Sequence, residues 1–232
     1  MTFSKRLFDI CFALILLIPL GAIMLVTALV ILIRDGRPVI YVSERMHAPG
    51  KPFDLIKFRT MRHSDEDQGV SGGHKDWRVT PLGAFLRKTR LDELPQLFNI
   101  LKGDISFVGP RPPMREYVER QPEIYAEVLK SWPGVTGLAS LVYHRHEEHI
   151  LRQCKTAAET DATYVRRCIP AKAKLDLIYQ KNRTLCLDLW VIWTTLQLVV
   201  IRRGKQRGGP PRPPRRTHPH HQAPAETASD HS

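Results

Sequence analysis

From Ile10 to Ile33 the chain reads ICFALILLIPLGAIMLVTALVILI, 24 residues without a charged side chain. Such a stretch in lipid must satisfy its own backbone hydrogen bonds, which restricts it to helix. It is long enough for a hydrocarbon core of roughly 30 Å. It exceeds the apolar region of a cleaved leader, and no small-residue cleavage pattern follows, so it is expected to remain as a membrane anchor. Pro19 sits in its middle, where the ring removes one helical N–H and presses on the carbonyl of Ile15. Lys5 and Arg6 precede the run and Arg34 and Arg37 follow it, so the positive-inside rule draws both flanks to one side. Two topologies satisfy these residues. One is a tilted, kinked span, since membrane helices tolerate proline. The other is a helix broken at Pro19 that returns to the leaflet it entered, with arms of about 14 residues, or roughly 21 Å each.

The remaining chain reads as an α+β domain, mainly helical with a small β-hairpin. Two β-rich runs within residues 39–60 flank Pro49-Gly50, a turn signal. Period-two alternation puts Lys57 and Arg59 on one face of the second run, either as a solvated basic edge or as ligands. Residues 63–76 are polar and Gly-rich, a loop. Residues 79–103 read as helix in two pieces. Leu91, Leu94, Leu97, Phe98 and Leu101 form a stripe for burial, with Asp92, Gln96 and Asn99 on a polar face and Gly103 as the stop. Pro110, Pro112 and Pro113 stiffen a loop that holds Arg111 outward. PGVTG at 133–137 reads as a turn.

Near the end, 187–204 is apolar, but its charge-free part, 189–201, falls short of the roughly 17 residues a span needs. A buried or interfacial helix is expected, with Trp190 and Trp193 suited to the interface. The expected divisions are 1–36 as membrane helix, 37–203 as catalytic domain, and 204–232 as a disordered Pro-, Arg- and His-rich tail.

Among 232 residues, 43% are hydrophobic, enough for a core, and the net charge is +12. The segment from Arg202 onward holds seven Lys or Arg against two acids, and so +5 of that charge. The balance points to a polyanion: nucleic acid, anionic lipid or a phosphorylated small molecule. Aromatic-interleaved basic motifs for nucleic acid are absent from the sequence, and the partners expected are lipid and phosphate. Cys11, Cys154, Cys168 and Cys186 lack zinc-ligand spacing and C-x-x-C pairing. YHRHEEHI at 143–150 departs from the H-E-x-x-H zinc pattern and reads as a solvated helix face or substrate-side loop.

The adjacent acids Asp92 and Glu93 admit two readings. Carboxylates in a helix's first turn are stabilised by its positive end, by about 0.3–1 kcal/mol each, and Pro95 also suits a helix start. The alternative is a reactive pair. Arg87, Lys88 and Arg90 lie just upstream, and Lys57, Arg59 and Arg111 are placed to converge. Cations keep a carboxylate ionised, ready to attack phosphorus or to hold Mg²⁺, which takes a few carboxylate oxygens plus substrate phosphates.

Four stretches carry a resemblance to a known family. They are KRLFDI leading into the proline-containing run, KFRTM at 57–61, TPLGAFLRKTRLDELPQLFNILKGDISFVGPRP at 80–112, and PGVTG at 133–137. The chain resembles the bacterial sugar transferases known as monotopic polyprenyl-phosphate phosphoglycosyl transferases, over residues 4–202. The resemblance implies transfer of a phosphosugar from a UDP-sugar to a polyprenol (undecaprenyl) phosphate, initiating capsule, exopolysaccharide or O-antigen assembly. It implies Asp92 as nucleophile, through a phosphosugar-aspartyl intermediate, with Glu93 assisting and Mg²⁺ held by both. It also implies nucleotide recognition by Pro110-Arg111-Pro112, with Lys57, Arg59, Arg87 and Gln96 as further substrate-binding residues. The anchor is then expected to be re-entrant, with the domain on the cytoplasmic face of the bacterial inner membrane; the homo-oligomeric state stays open. One departure is Ile18-Pro19, where the family has Ser-Pro. A serine hydroxyl can satisfy a carbonyl freed by proline and isoleucine cannot. The rival from the residues alone is a basic membrane-anchored scaffold for anionic lipid, which has no use for Asp92.

Overall fold

A computed structural model describes residues 1–62 and 78–205, with side chains as far as residue 198. The loop expected at 63–76, and all but the first two residues of the tail expected from 204, lie outside the described residues. The apolar run forms one helix, α1 (Phe3–Arg34), which begins where the Thr2 hydroxyl accepts from the Lys5 N–H and ends on Asp35. It continues through Pro19. The break expected there is a missing hydrogen bond within one helix, not a loop between two arms, because the turns on either side keep their own bonds.

One stripe of α1 is buried in each half, Lys5, Asp9 and Ala13 before Pro19 and Met24, Thr27 and Ile31 after it, with Leu16, Leu17 and Leu20 partly buried between. The opposite side leaves Leu7, Ile15, Ile18, Leu25, Val26 and Ile33 exposed. By length and hydropathy α1 is long and apolar enough to cross a membrane, a membrane-anchor candidate. Both ends are fastened to the same body. The Arg6 guanidinium donates to the carbonyls of Ile100 and Leu101, and Lys5 forms a 2.6 Å ion pair with Asp188. At the far end the Thr80 hydroxyl donates to Asp35 Oδ2 at 2.9 Å.

That body is α+β and largely helical. Strands β1 (Ile40–Ala48) and β2 (Lys51–Phe58) form the expected antiparallel hairpin, with Gly50 at φ +70° in its turn. Helix α2 (Pro81–Thr89) and a 3₁₀ turn (Leu91–Glu93) lead into α3 (Gln96–Lys102), which stops at Gly103 with φ +98°. A second sheet follows, in which β3 (Ser106–Val108) pairs in parallel with β4 (Gly134–Thr136). Between them lie α4 (Arg115–Arg120) and α5 (Pro122–Val128). Helices α6 (Leu138–Leu151) and α7 (Ala157–Thr163), a π-helical turn (Tyr164–Cys168), α8 (Ile169–Lys181) and α9 (Leu185–Lys205) complete the chain.

The sequence stretch PGVTG is therefore a strand rather than a turn. The two chains approach so closely that a Cβ on Gly109 or Gly134 would run into main-chain atoms of the other segment. Glycine here permits backbone contact, which local turn rules misread. The expected leucine stripe is also corrected in part. Leu97 is buried and Leu91, Leu94 and Leu101 pack on the core, but Phe98 is 48% exposed. Because α3 starts only at Gln96, its inner face is Gln96, Leu97, Asn99 and Ile100. Asn99, expected on the polar side, is buried and joins α3 to β2. Its amide donates to Asp54 O at 2.7 Å and accepts from Ile56 N–H at 3.0 Å.

The main core gathers Ala13 and Ile31 of α1, Leu55 and Phe58 of β2, Leu86, Ile100, Val108 and Val191. A second cluster, around Met46, Tyr117, Tyr125 and Ile169, braces the hairpin against α4, α5 and α8. On α9, Asp188 and Val191 face inward while Leu189, Trp190, Trp193 and Leu196 lie exposed, as expected of an interfacial helix.

Candidate active site

Helix α2 is set by Thr80, whose hydroxyl accepts from Gly83 N–H at 2.9 Å, and it ends at Arg90 with φ 59°. A left-handed arginine is uncommon, and strain of this kind gathers at working sites. It turns the chain into the 3₁₀ segment Leu91–Glu93. Asp92 and Glu93 thus occupy a tight turn between two helices, not the first turn of an α-helix. Successive residues there point about 120° apart, and the two acids meet different surroundings.

Glu93 is saturated. Its side chain is 10% exposed, and Oε1 lies 3.0 Å from Arg111 Nη2, 3.4 Å from Arg90 Nη1 and 3.8 Å from Lys57 Nζ. Burial works to raise its pKa, but Arg111, Lys57 and Arg90 overcome that and hold it at about 2. Asp92 is 9% exposed and its Oδ1 is buried with no hydrogen-bond partner among the described residues. Burial, and then the charge of Glu93, push its pKa up to about 6, against the pull of Lys57, Arg90 and Arg87. The expectation that surrounding cations keep both acids firmly ionised thus holds for Glu93 alone. Lys57 is lowered to about 8, by burial and by Arg111, with Glu93 opposing.

Gln96, one helical turn beyond Asp92, is buried with Nε2 unpartnered among the described residues. Buried polar atoms are nearly always satisfied, so two orphans on one short segment mark a place for a ligand. Arg87 is held by the Thr60 hydroxyl at 2.9 Å and contributes to the field at Asp92. The loop bearing Arg111 is tied on both sides: Pro110 O accepts from Gly134 N–H at 2.8 Å, and Pro113 O from Met46 N–H at 2.9 Å. Pro110 and Pro112 are buried, while the Arg111 side chain keeps 40% exposure and reaches both Glu93 and solvent.

Arg59 does not join the site. Its guanidinium donates to the carbonyls of Asp35, Gly36 and Arg37, at the C-terminal end of α1. Strand β2 ends at Phe58, so the alternation that grouped Arg59 with Lys57 stops short of it, and the orphan carbonyls of a helix end are its acceptors. Arg90 takes the place expected of it, and it was legible only as part of an upstream basic cluster.

Among the described residues no three His, Cys, Asp or Glu side chains converge as a ready-made metal site. The partnerless Asp92 Oδ1 fits a hard cation whose remaining ligands come from substrate phosphates. In α6, Glu147 pairs with Lys172 at 3.1 Å and His146 packs on Tyr143.

The family model for bacterial sugar transferases matches residues 1–202. The chain belongs to the bacterial sugar transferase family. Within the family, it is 33% identical over 204 residues to the UDP-N-acetylgalactosamine-undecaprenyl-phosphate N-acetylgalactosaminephosphotransferase of Aeromonas hydrophila, covering 85% of this chain and 44% of that protein. It is 30% identical over 217 residues to the exopolysaccharide production protein ExoY of Sinorhizobium fredii, covering 87% of each. To the undecaprenyl-phosphate galactose phosphotransferase of Salmonella typhimurium it is 34% identical over 218 residues, covering 87% of this chain and 41% of that protein. It thus spans less than half the length of two of these three relatives. Their names differ in the sugar, so family membership establishes a sugar transferase without fixing which sugar moves.

Proposed function

We propose that this transferase moves a phosphosugar from a UDP-sugar to undecaprenyl phosphate, by way of a phosphosugar-aspartyl intermediate on Asp92, as the initiating step of exopolysaccharide-type glycan assembly. The observation that carries the reading is the division between the neighbours. Glu93 is committed to three cations, whereas Asp92 keeps a buried oxygen with no partner.

In the first step an Asp92 carboxylate oxygen attacks the phosphorus that bears the sugar. The bond from that phosphorus to the bridging oxygen breaks, and UMP leaves with the electron pair. In the second step an oxygen of undecaprenyl phosphate attacks the same phosphorus, and Asp92 departs as carboxylate. Arg111 and Lys57 sit where negative charge collects, and Glu93 holds both of them in position. Gln96 Nε2 is a free donor for a phosphate oxygen. A divalent cation such as Mg²⁺, held by Asp92 with Glu93 beside it and completed by phosphate oxygens, would supply further charge neutralisation.

Membrane geometry belongs to the same proposal. With both ends of α1 tied to one body and a stripe of each half buried, the helix lies against the domain instead of standing away from it. That favours entry into a single leaflet from the cytoplasmic face of the inner membrane, with the exposed apolar side in lipid. The reading is tested by supplying purified protein with UDP-sugars and Mg²⁺. UMP release that rises on adding undecaprenyl phosphate, with a matching lipid-linked phosphosugar, is expected. Lipid binding without turnover for any donor would contradict it.

A further inference from the structure

Arg45, a cation near the site, has no carboxylate partner among the described residues. Arg45 lies in β1, where its Nε donates to the Ser43 hydroxyl at 3.2 Å. Neither of its terminal nitrogens has a hydrogen-bond partner among the described residues, and no described carboxylate pairs with it. The hairpin register pairs Arg45 with Phe53 and Tyr41 with Lys57. Arg45 and Lys57 therefore project from the same sheet face, with Arg45 four pairs further along, roughly 14 Å at the backbone. The hydrogen bond from Met46 N–H to Pro113 O sets that part of β1 beside the loop that carries Arg111. On the opposite face of the strand, Glu44 is taken up by Arg115 in two hydrogen bonds, so it is no counter-charge for Arg45.

The groups that act on Arg45 are Arg111 and the phenols Tyr41, Tyr164 and Tyr117, and its pKa is lowered by burial first and by Arg111 next. A half-buried guanidinium next to a second guanidinium is an arrangement that an incoming dianion stabilises. Lys57 and Arg111 are gathered on Glu93, and Arg45 lies on the same sheet face as Lys57, further from the carboxylate pair along the hairpin and within the influence of Arg111. In an in-line displacement the leaving group departs opposite the attacking oxygen. Phosphate on the leaving side needs donors beyond those gathered on Glu93, and the free fork of Arg45 suits two oxygens of one phosphate.

We propose that Arg45 binds the nucleoside-linked phosphate, the one that leaves with the nucleotide, completing with Arg111 and Lys57 a cradle for the donor's diphosphate. This rests on the transfer reaction proposed above. Calorimetric titration of the full chain in detergent with UMP tests it. Arg45→Met is expected to weaken UMP binding roughly 10- to 100-fold. Arg45→Lys, which keeps the charge but loses the fork, should fall between. Arg115→Met, on the other strand face, should bind UMP as wild type does. Wild-type affinity in both Arg45→Met and Arg45→Lys would overturn the assignment of Arg45 and leave the transfer reaction standing. Absence of UMP and UDP binding in the wild type would overturn both.

Discussion

Two ionic clusters among the described residues, one at the start of α1 and one at the 3₁₀ turn, differ in how their charges are matched. At the start of α1, Lys5 is paired with Asp188 at 2.6 Å, and Asp188 also accepts from the Tyr179 hydroxyl at 2.6 Å. The same hydroxyl lies 3.2 Å from Val108 O, which can share its single proton only as the longer arm of a bifurcated bond. Lys5, Asp188 and Tyr179 answer one another and lock α1, α8, α9 and β3 together, while Asp9, one turn along α1, accepts from Phe107 N–H at 3.4 Å and keeps Oδ2 without a partner among the described residues. At the 3₁₀ turn the charges are as close, but Asp92 keeps a partnerless oxygen and Glu93 draws three cations to itself. At the first cluster the cation and Asp188 are matched one to one and hold the fold, whereas at the 3₁₀ turn three cations share Glu93 and leave Asp92 open to a ligand.

The largest effect on stability is expected where the charges are matched one to one. Lys5→Met leaves Asp188 charged and unpaired in the interior, a loss of about 3–5 kcal/mol, read by thermal or denaturant unfolding in detergent. Adding Asp188→Leu to Lys5→Met should restore much of it, since the stranded charge is gone. If Lys5→Met melted like wild type, the contrast between the two clusters would fail.

At the 3₁₀ turn the sign reverses. Because the folded pKa of Asp92 is raised from 3.8 to about 6, its favourable contribution is fully present below pH 3.8 and lost as pH rises through about 6. Above that its ionised form burdens the fold by roughly 3 kcal/mol. Asp92→Asn should therefore raise the melting temperature at pH 8 and do so little at pH 4.5, while removing activity.

Glu93→Gln tests the coupling between the neighbours. Glu93 raises Asp92 and occupies the cations that would lower it. The rate of the first step in wild type should climb as pH rises through about 6, where Asp92 ionises, and decline above about 8, where Lys57 loses its proton. In Glu93→Gln the lower limb should move to lower pH. An unmoved limb would mean that another group sets it.

The smallest effect is expected at Arg59. Arg59→Met removes a cap from the end of α1 and should cost about 1–2 kcal/mol with no change in KM for the donor. A large rise in KM would return Arg59 to the site.

Much of this arrangement is legible in the chain. The apolar run, the hairpin about Pro49-Gly50 and the stop at Gly103 follow from patterns spanning a few residues, and the acid pair stands out by its basic surroundings. What escaped depends on distant partners. Strands of three residues, such as Ser106–Val108, carry too little alternation to register, and their pairing is decided by contact with Gly134 across the fold. Asn99 reads as a surface residue until β2 supplies its partners. The roles of Lys57 and Arg59 separate only when the end of α1 arrives to claim one of them. The unequal pKa values of Asp92 and Glu93 likewise come from which cations reach which carboxylate, and spacing does not encode that.

The most direct test of the central claim is intact-protein mass spectrometry of the purified chain incubated with Mg²⁺ and a panel of UDP-sugars, without lipid acceptor. Wild type should gain the mass of one phosphosugar with its proper donor and lose it on addition of undecaprenyl phosphate, and Asp92→Asn should gain nothing. An adduct that persists in Asp92→Asn, or UMP release that requires the acceptor and never leaves an adduct on the wild type, would contradict the assignment of Asp92 as nucleophile.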